Sequence, residues 1–249
     1  MKILLVCTIA LVGVGTIALR AAARNRSQRE LVRLCLDAGV SFAVIDPFAD
    51  TLFLPFRLFG RGDTRGIDTV MWDPRDDGDI RVFDYWYQEH DDEGIGVKVH
   101  MTCGVVPLPF GVPSVAVVPR GVSDPSKLEI DGAQVRLELD TFNERFDVWA
   151  ADPRAAVALL DQRMMQAILA LPLRVAIHVH EDHMLCVASP LEPAQMLVLL
   201  ETVRTLARRV PPVVATLYPP RPSEGPFEDR WLQGHWTPAP TSAEYTEPS

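Results

Sequence analysis

Residues 3–19 read Ile-Leu-Leu-Val-Cys-Thr-Ile-Ala-Leu-Val-Gly-Val-Gly-Thr-Ile-Ala-Leu, an uncharged apolar run that stops at Arg20. At about 1.5 Å of rise per residue the run sits at the short end of the roughly 17–25 residues that cross a bilayer, and Ala21 to Ala23 can lengthen it while Arg20 snorkels. Residues 1–24 are therefore expected to form a transmembrane anchor with a basic collar, and membrane lipid is the partner of that helix. Only Lys2 and the terminal amine precede the run, whereas Arg20, Arg24, Arg26, Arg29 and Arg33 follow it. The positive-inside rule then predicts a single-pass protein of the cell membrane whose soluble domain is cytoplasmic. A signal peptide cleaved in the Ala21–Ala23 stretch is the alternative, and the arginine collar opposes its translocation.

Beyond Arg33 the chain carries 18 basic against 32 acidic residues. So acidic a body disfavours nucleic acid as a partner of its general surface, although the basic collar suits anionic headgroups. At 48% hydrophobic and 23% charged the soluble part can bury a sizeable core, and one domain spanning 25–210 is expected. The four cysteines, Cys7, Cys35, Cys103 and Cys186, form no C-x-x-C pair. They fit neither a zinc knuckle nor a disulfide framework, so the last three are expected as small buried hydrophobes.

Ser27-Gln-Arg-Glu30 is a capping box, and Leu31, Leu34, Cys35 and Ala38 follow at helical spacing until Gly39. A hairpin is predicted from the apolar and aromatic runs Ile67–Trp72 and Ile80–Tyr87, which flank a turn at Asp77-Gly78. Phe83, Tyr85 and Tyr87 share one strand face there. Ile95 to Cys103 alternates cleanly, with an acidic turn at residues 89–93 before it, and Ser114–Val118 reads as a separate strand after Pro107 and Pro109. One helix is expected from the Asp152 cap and Pro153 to Leu171, ended by Pro172. A second hairpin, Arg174–His180 and Met184–Ala188, is expected to turn at Glu181-Asp182, and Ser189 to begin a capped helix closing at Arg208-Arg209. Residues 211–249, rich in Pro, Ser, Thr and Glu, read as a disordered tail.

Two short motifs are set aside on chemistry. Asp73, Asp77, Gly78 and Asp84 match four positions of a calcium loop, but Arg75 and Arg81 occupy ligand positions. Phe59-Gly-Arg-Gly-Asp63 lacks the strand-to-helix setting and the lysine of a phosphate loop, so it is read as a turn.

Phe56-Arg-Leu-Phe-Gly-Arg-Gly62, Val82-Phe-Asp-Tyr-Trp-Tyr87 and Phe142-Asn-Glu-Arg-Phe-Asp-Val148, the last leading into a helix with Arg163-Met-Met165, resemble a family of uncharacterised actinobacterial proteins with one N-terminal membrane span. The resemblance runs from the span to about Arg209. It implies a cytoplasmic α+β domain and carries over no catalytic residues, because that family has no established activity.

The sharpest chemical signal is His178-Val-His-Glu-Asp-His183, which resembles the H-x-H-x-D-H zinc-ligand signature of the metallo-β-lactamase superfamily. In that setting His178, His180, Asp182 and His183 would bind metal and orient a hydroxide. The flanks read as strand on both sides, and the only later histidine that could complete such a site, His235, lies in the expected tail. The sequence therefore predicts an α+β fold, a transmembrane helix followed by an antiparallel sheet with packed helices. Its expected function is that of a non-enzymatic interaction or scaffolding module at the cytoplasmic membrane face. No cofactor or catalytic residue is expected, and a protein partner is left unidentified. The alternative is a metal-dependent hydrolase using the histidine cluster.

Overall fold

The computed structural model describes residues 31–76, 79–90, 96–121 and 132–220. The apolar run, the Ser27–Glu30 capping box, the Asp77-Gly78 turn, most of the acidic turn and the chain beyond 220 lie outside those residues. Among the described residues no helix is long and apolar enough to cross a membrane.

The chain enters through α1, residues 31–38, which buries Leu31 and Cys35 and ends at Gly39 in the left-handed region (φ 66°). Val40 N–H donates back to the Cys35 carbonyl at 2.9 Å, closing the last turn as a glycine C-cap does. Seven antiparallel strands follow among the described residues, in the order β1-β2-β3-β4-β6-β5, with β7 on the other side of β4. They are β1 (Ser41–Ala43), β2 (Thr64–Trp72), β3 (Arg81–His90), β4 (Gly96–Pro119), β5 (Ala133–Val135), β6 (Phe146–Ala150) and β7 (Ala176–Ala188). The hairpin expected at 67–87 forms, with Met71 opposite Val82 and Gly66 opposite Trp86.

β4 is one strand of 24 residues where two were expected. Its first part pairs with β3, His90 opposite Gly96, and its last with β6, Val115 opposite Ala150. Both partners lie on one edge, and β7 runs along the other. Pro107, Pro109 and Pro113 fall in the stretch between β3 and β6, where their missing N–H groups break no ladder on that edge. The ladder to β7 absorbs them differently: between Pro107 and Val112 the register slips, five steps along β4 matching two along β7.

β7 corrects the second expected hairpin. It is continuous, and Glu181, at φ 50°, forms a bulge opposite Val112 rather than a reversal. Its effect is on parity. Ile177 and Val179 face the helices, and so do Met184 and Cys186, which lie on the opposite alternation. The irregularity there keeps both apolar halves of the strand on one core.

The sheet separates two cores. On one face Val106, Val115, Ile177, Val179 and Met184 pack under α3 (Pro153–Leu159), α4 (Gln162–Leu169), α5 (Pro193–Arg209) and α6 (Pro212–Leu217). α5 seats closely at Gly104, where a Cβ would lie 2.7 Å from Val203 Cγ2. On the other face Phe83, Tyr85, Tyr87 and Cys103 pack under Phe56, Leu58 and Phe59, carried by 3-10 turns at Thr51–Phe53 and Arg57–Gly60. Each such apolar side chain contributes about 1.5–3 kcal/mol by leaving water. Cys35, Cys103 and Cys186 are buried and free, as expected.

Three helical boundaries differ from the sequence expectation. The helix expected from Asp152 to Leu171 is two: Asp152 caps α3 with Pro153 in its first turn, but Asp161 accepts from Met164 N–H at 2.8 Å and starts α4 afresh. An N-capping aspartate competes with continuation, and here the break buries both Leu159 and Leu160. Phe142 and Phe146, expected to lead into a helix, belong to α2 (Asp140–Arg145) and to the first residue of β6, their rings stacked at 5.0 Å. The capping box of α5 lies at Glu192 and Gln195, not at Ser189, because Pro193 fixes the first turn three residues later. The chain also stays ordered past the expected boundary at 210: α6 buries Val214, and Tyr218 Oη donates to Asp152 Oδ2 at 2.9 Å.

Candidate functional site

The histidine cluster is the place to look for chemistry, and β4, β6 and β7 determine what surrounds it. Trp149 and His178 both pair with Ala116, so Trp149, Ala116 and His178 form a row across three strands. They lie on the face covered by the 3-10 turns. Ser114 stands beside this row, and its hydroxyl meets His178 Nε2 at 2.8 Å. His180 lies next along β7, its ring centroid 6.0 Å from that of His178. Phe56 covers both rings, with centroids 5.2 Å from His178 and 6.4 Å from His180.

A hydroxyl bonded to an imidazole is the core of a nucleophilic pair when the oxygen can reach a substrate. Here Ser114 is 6% and His178 5% exposed, under an aromatic lid. The contact ties β4 to β7 just where both strands bulge. Two polar atoms in this neighbourhood, Trp149 Nε1 and His180 Nδ1, are buried without a hydrogen-bond partner among the described residues. Such atoms are the usual seats of ordered water in a core.

The other two members of the motif go elsewhere. Asp182 and His183 form their own pair at the exposed bulge, Oδ1 to Nδ1 2.7 Å. Among the described residues no three His, Cys, Asp or Glu side chains come together closely enough to hold a metal ion. The four residues of the hydrolase alternative are thus split between a buried His178 with a half-buried His180 and a pair at the surface, and the cause is the irregularity at Glu181. In a strand-to-helix loop the same spacing would wrap around one point. Along a strand it spreads over several residue rises of about 3.3 Å each.

The charged residues set aside above are engaged structurally. Asp73 is buried and sits between two guanidinium groups: Arg75 Nη2 at 2.7 Å and Arg204 Nη2 at 2.6 Å. Hydrogen bonds from the Arg75 side chain, aided by the charges of Arg75 and Arg204, hold its carboxyl at a pKa of about 2 against the opposing effect of burial. A carboxylate so paired is no calcium ligand. It pins the tip of the β2–β3 hairpin to α5. Arg61, from the turn once compared with a phosphate loop, binds Glu89 at 2.8 Å and lies over the Tyr87 ring.

A second polar group lies on β2, β3 and β4. Lys98 Nζ stands 3.6 Å from the Trp86 ring centroid, and Trp86 Nε1 donates to Asp68 at 3.1 Å. Thr102 donates to Asp84 at 2.8 Å and accepts from Leu191 N–H, while burial raises the Asp84 pKa. Each of these side chains is matched within the fold.

Sequence reasoning found His178 and His180 but not Ser114, Trp149 or Phe56. No local pattern marks them, since what joins them is the register of three strands and one covering turn. A small cavity between the sheet and α3 to α5, on the face opposite the site, holds about 10 Å³ and is lined by apolar residues such as Val115, Ile177, Val179 and Met184. That is room for about one water.

No curated protein matches the chain. A solved structure, the mycobacterial trehalose monomycolate transport factor A, TtfA, is similar at 16% identity over 79% of this chain and 98% of that chain, with a TM-score of 0.44. A family model described as a protein of unknown function (DUF3137) matches residues 113–190. That segment holds Ser114, Trp149, His178 and His180.

Proposed function

We propose that the chain is a membrane-anchored, non-enzymatic interaction module, spanning the cell membrane once and holding its α+β domain at the cytoplasmic face. The observation that carries this reading is the uncharged run Ile3–Leu19 followed at once by Arg20, Arg24, Arg26, Arg29 and Arg33. A span flanked in this way retains its basic side in the cytoplasm. The interior of the domain supports the non-enzymatic part. Its Ser–His pair is sealed beneath Phe56, and its histidine motif is divided between core and surface.

Two fusions test the placement. A reporter phosphatase that is active only outside the cytoplasm stays inactive when joined after Arg209, and a fluorescent protein joined at the same point is bright. High phosphatase activity overturns the topology. Capture of the full chain after detergent extraction then tests the interaction role, with a stoichiometric protein partner as the expected result.

A further inference from the structure

The first helix carries a second apolar stripe that the core does not use. Leu31 and Cys35 bury one side of α1, yet Val32 and Leu36, about 100° further round, are exposed, Leu36 to 76%. The spacing is four residues, so the two stand one above the other on a single side of the helix. β1 follows immediately, and the residues that leave it, Val44 and Ile45, are exposed to 45% and 81%. Four exposed apolar side chains thus fall within fourteen residues at the start of the described chain.

We infer that this side of α1, together with Val44 and Ile45, is a lipid-contact surface that rests in the headgroup region of the membrane. The inference deepens the anchored reading above and rests on it. Two facts select lipid as the occupant. Eleven residues separate Leu19 from Leu31, so α1 begins within about 40 Å of the end of the apolar run even if the connection is fully extended, and within about 18 Å if it is helical. Over residues 20–33 the chain carries five arginines against one glutamate, a charge that complements anionic headgroups rather than the acidic remainder of this protein. An apolar side flanked by arginines at that distance has the composition of an interfacial helix. The tether also raises the local concentration of membrane to a level at which a small apolar area suffices.

The test uses the full-length chain in its own membranes. A photoreactive p-benzoylphenylalanine replaces Leu36 or Ile45 and, as controls on α3 and α6, Val157 or Val213, which are also exposed. Cells are fed an alkyne fatty acid so that crosslinked lipid can be tagged. Membranes are washed in alkaline carbonate before and after irradiation. The expected result is lipid adduct at 36 and 45 at least about fivefold above the controls. A carbonate-resistant chain with no lipid adduct at 36 and 45, or with equal adduct at all four positions, overturns this surface and leaves the anchor standing. A protein adduct in place of lipid at 36 assigns the stripe to a protein partner and also overturns it. Loss of the chain in the first wash overturns the anchor and the surface together.

Discussion

The two faces of the sheet are covered by different kinds of structure, and their cores differ accordingly. Under the helices the contacts are aliphatic, with Val115, Ile177, Val179, Leu199 and Val203 in the middle. Under the 3-10 turns they are aromatic and polar: Phe59 packs edge-on to Tyr85 at 5.2 Å, and Trp149 and His178 lie within the same layer. A helix satisfies its own backbone, so the strands beneath it need only be apolar. A cover of short turns brings carbonyls that need donors, and the sheet supplies them: Tyr85 Oη donates to Leu58 O at 3.0 Å, with burial raising its pKa so that the proton stays in place.

Four measurements test that contrast. The largest effect is expected at Phe59→Ala, which removes a fully buried ring from the turn cover and should cost about 3–5 kcal/mol in equilibrium unfolding. If it costs no more than a surface substitution, the turns are a decoration and the second core does not exist. Next comes Asp73→Asn, at the border of the helical face, with an expected loss of about 3 kcal/mol from breaking a buried pair. It carries a pH signature. The Asp73 carboxyl titrates at about 2 in the fold, below the usual value near 4 of an unfolded aspartate. Its contribution is therefore complete above about pH 4 and is lost as the pH falls toward 2. The wild-type curve should steepen across that window more than the curve of the Asp73→Asn variant, and parallel curves would remove Arg75 and Arg204 as the cause.

A smaller loss, about 2 kcal/mol, is expected when the chain is cut before Pro212, because Val214 leaves the helical core and the Tyr218–Asp152 hydrogen bond goes with it. Cutting after Pro220 instead should leave the thermal midpoint nearly where it was, and equal effects from both cuts would show that α6 adds nothing. The smallest expected change is Ser114→Ala, about 1 kcal/mol, since it takes one hydrogen bond from His178 within the turn-covered face. A change several times larger would mean that the buried row, rather than the aromatic cover, organises that face.

Regular periodicity was legible on both faces. Met196, Leu199, Leu200, Val203 and Leu206 recur at helical spacing and are all buried, and the alternation through Phe83, Tyr85 and Tyr87 predicts one buried strand face correctly. Periodicity fails where a single residue resets it. Asp161 restarts a helix that the apolar spacing would carry through, and Glu181 shifts the parity of β7 so that one strand reads as two. Prolines mislead in the same way at β4, because sequence shows that they lack a donor but not that one edge of the strand carries no partner there. For the candidate site, local spacing marks His178 and His180, whereas Ser114, 64 residues away, reaches His178 only through the register of β4 on β7.

That register also governs how the chain folds. The pairs between β4 and β7 join residues from Val117 and Ile177 to Thr102 and Ala188, separations at which loop closure must be completed before any contact repays it. The β2–β3–β4 meander and the β5–β6 pair can each form early from neighbouring contacts, but β7 must close a longer loop to join β4 beside both. Both ends share the same two strands, so neither can open far while the other is closed. Amide exchange at Val105 and at Val117 should then follow the same global opening, and the slowest protons in the molecule should lie along the β4–β7 seam.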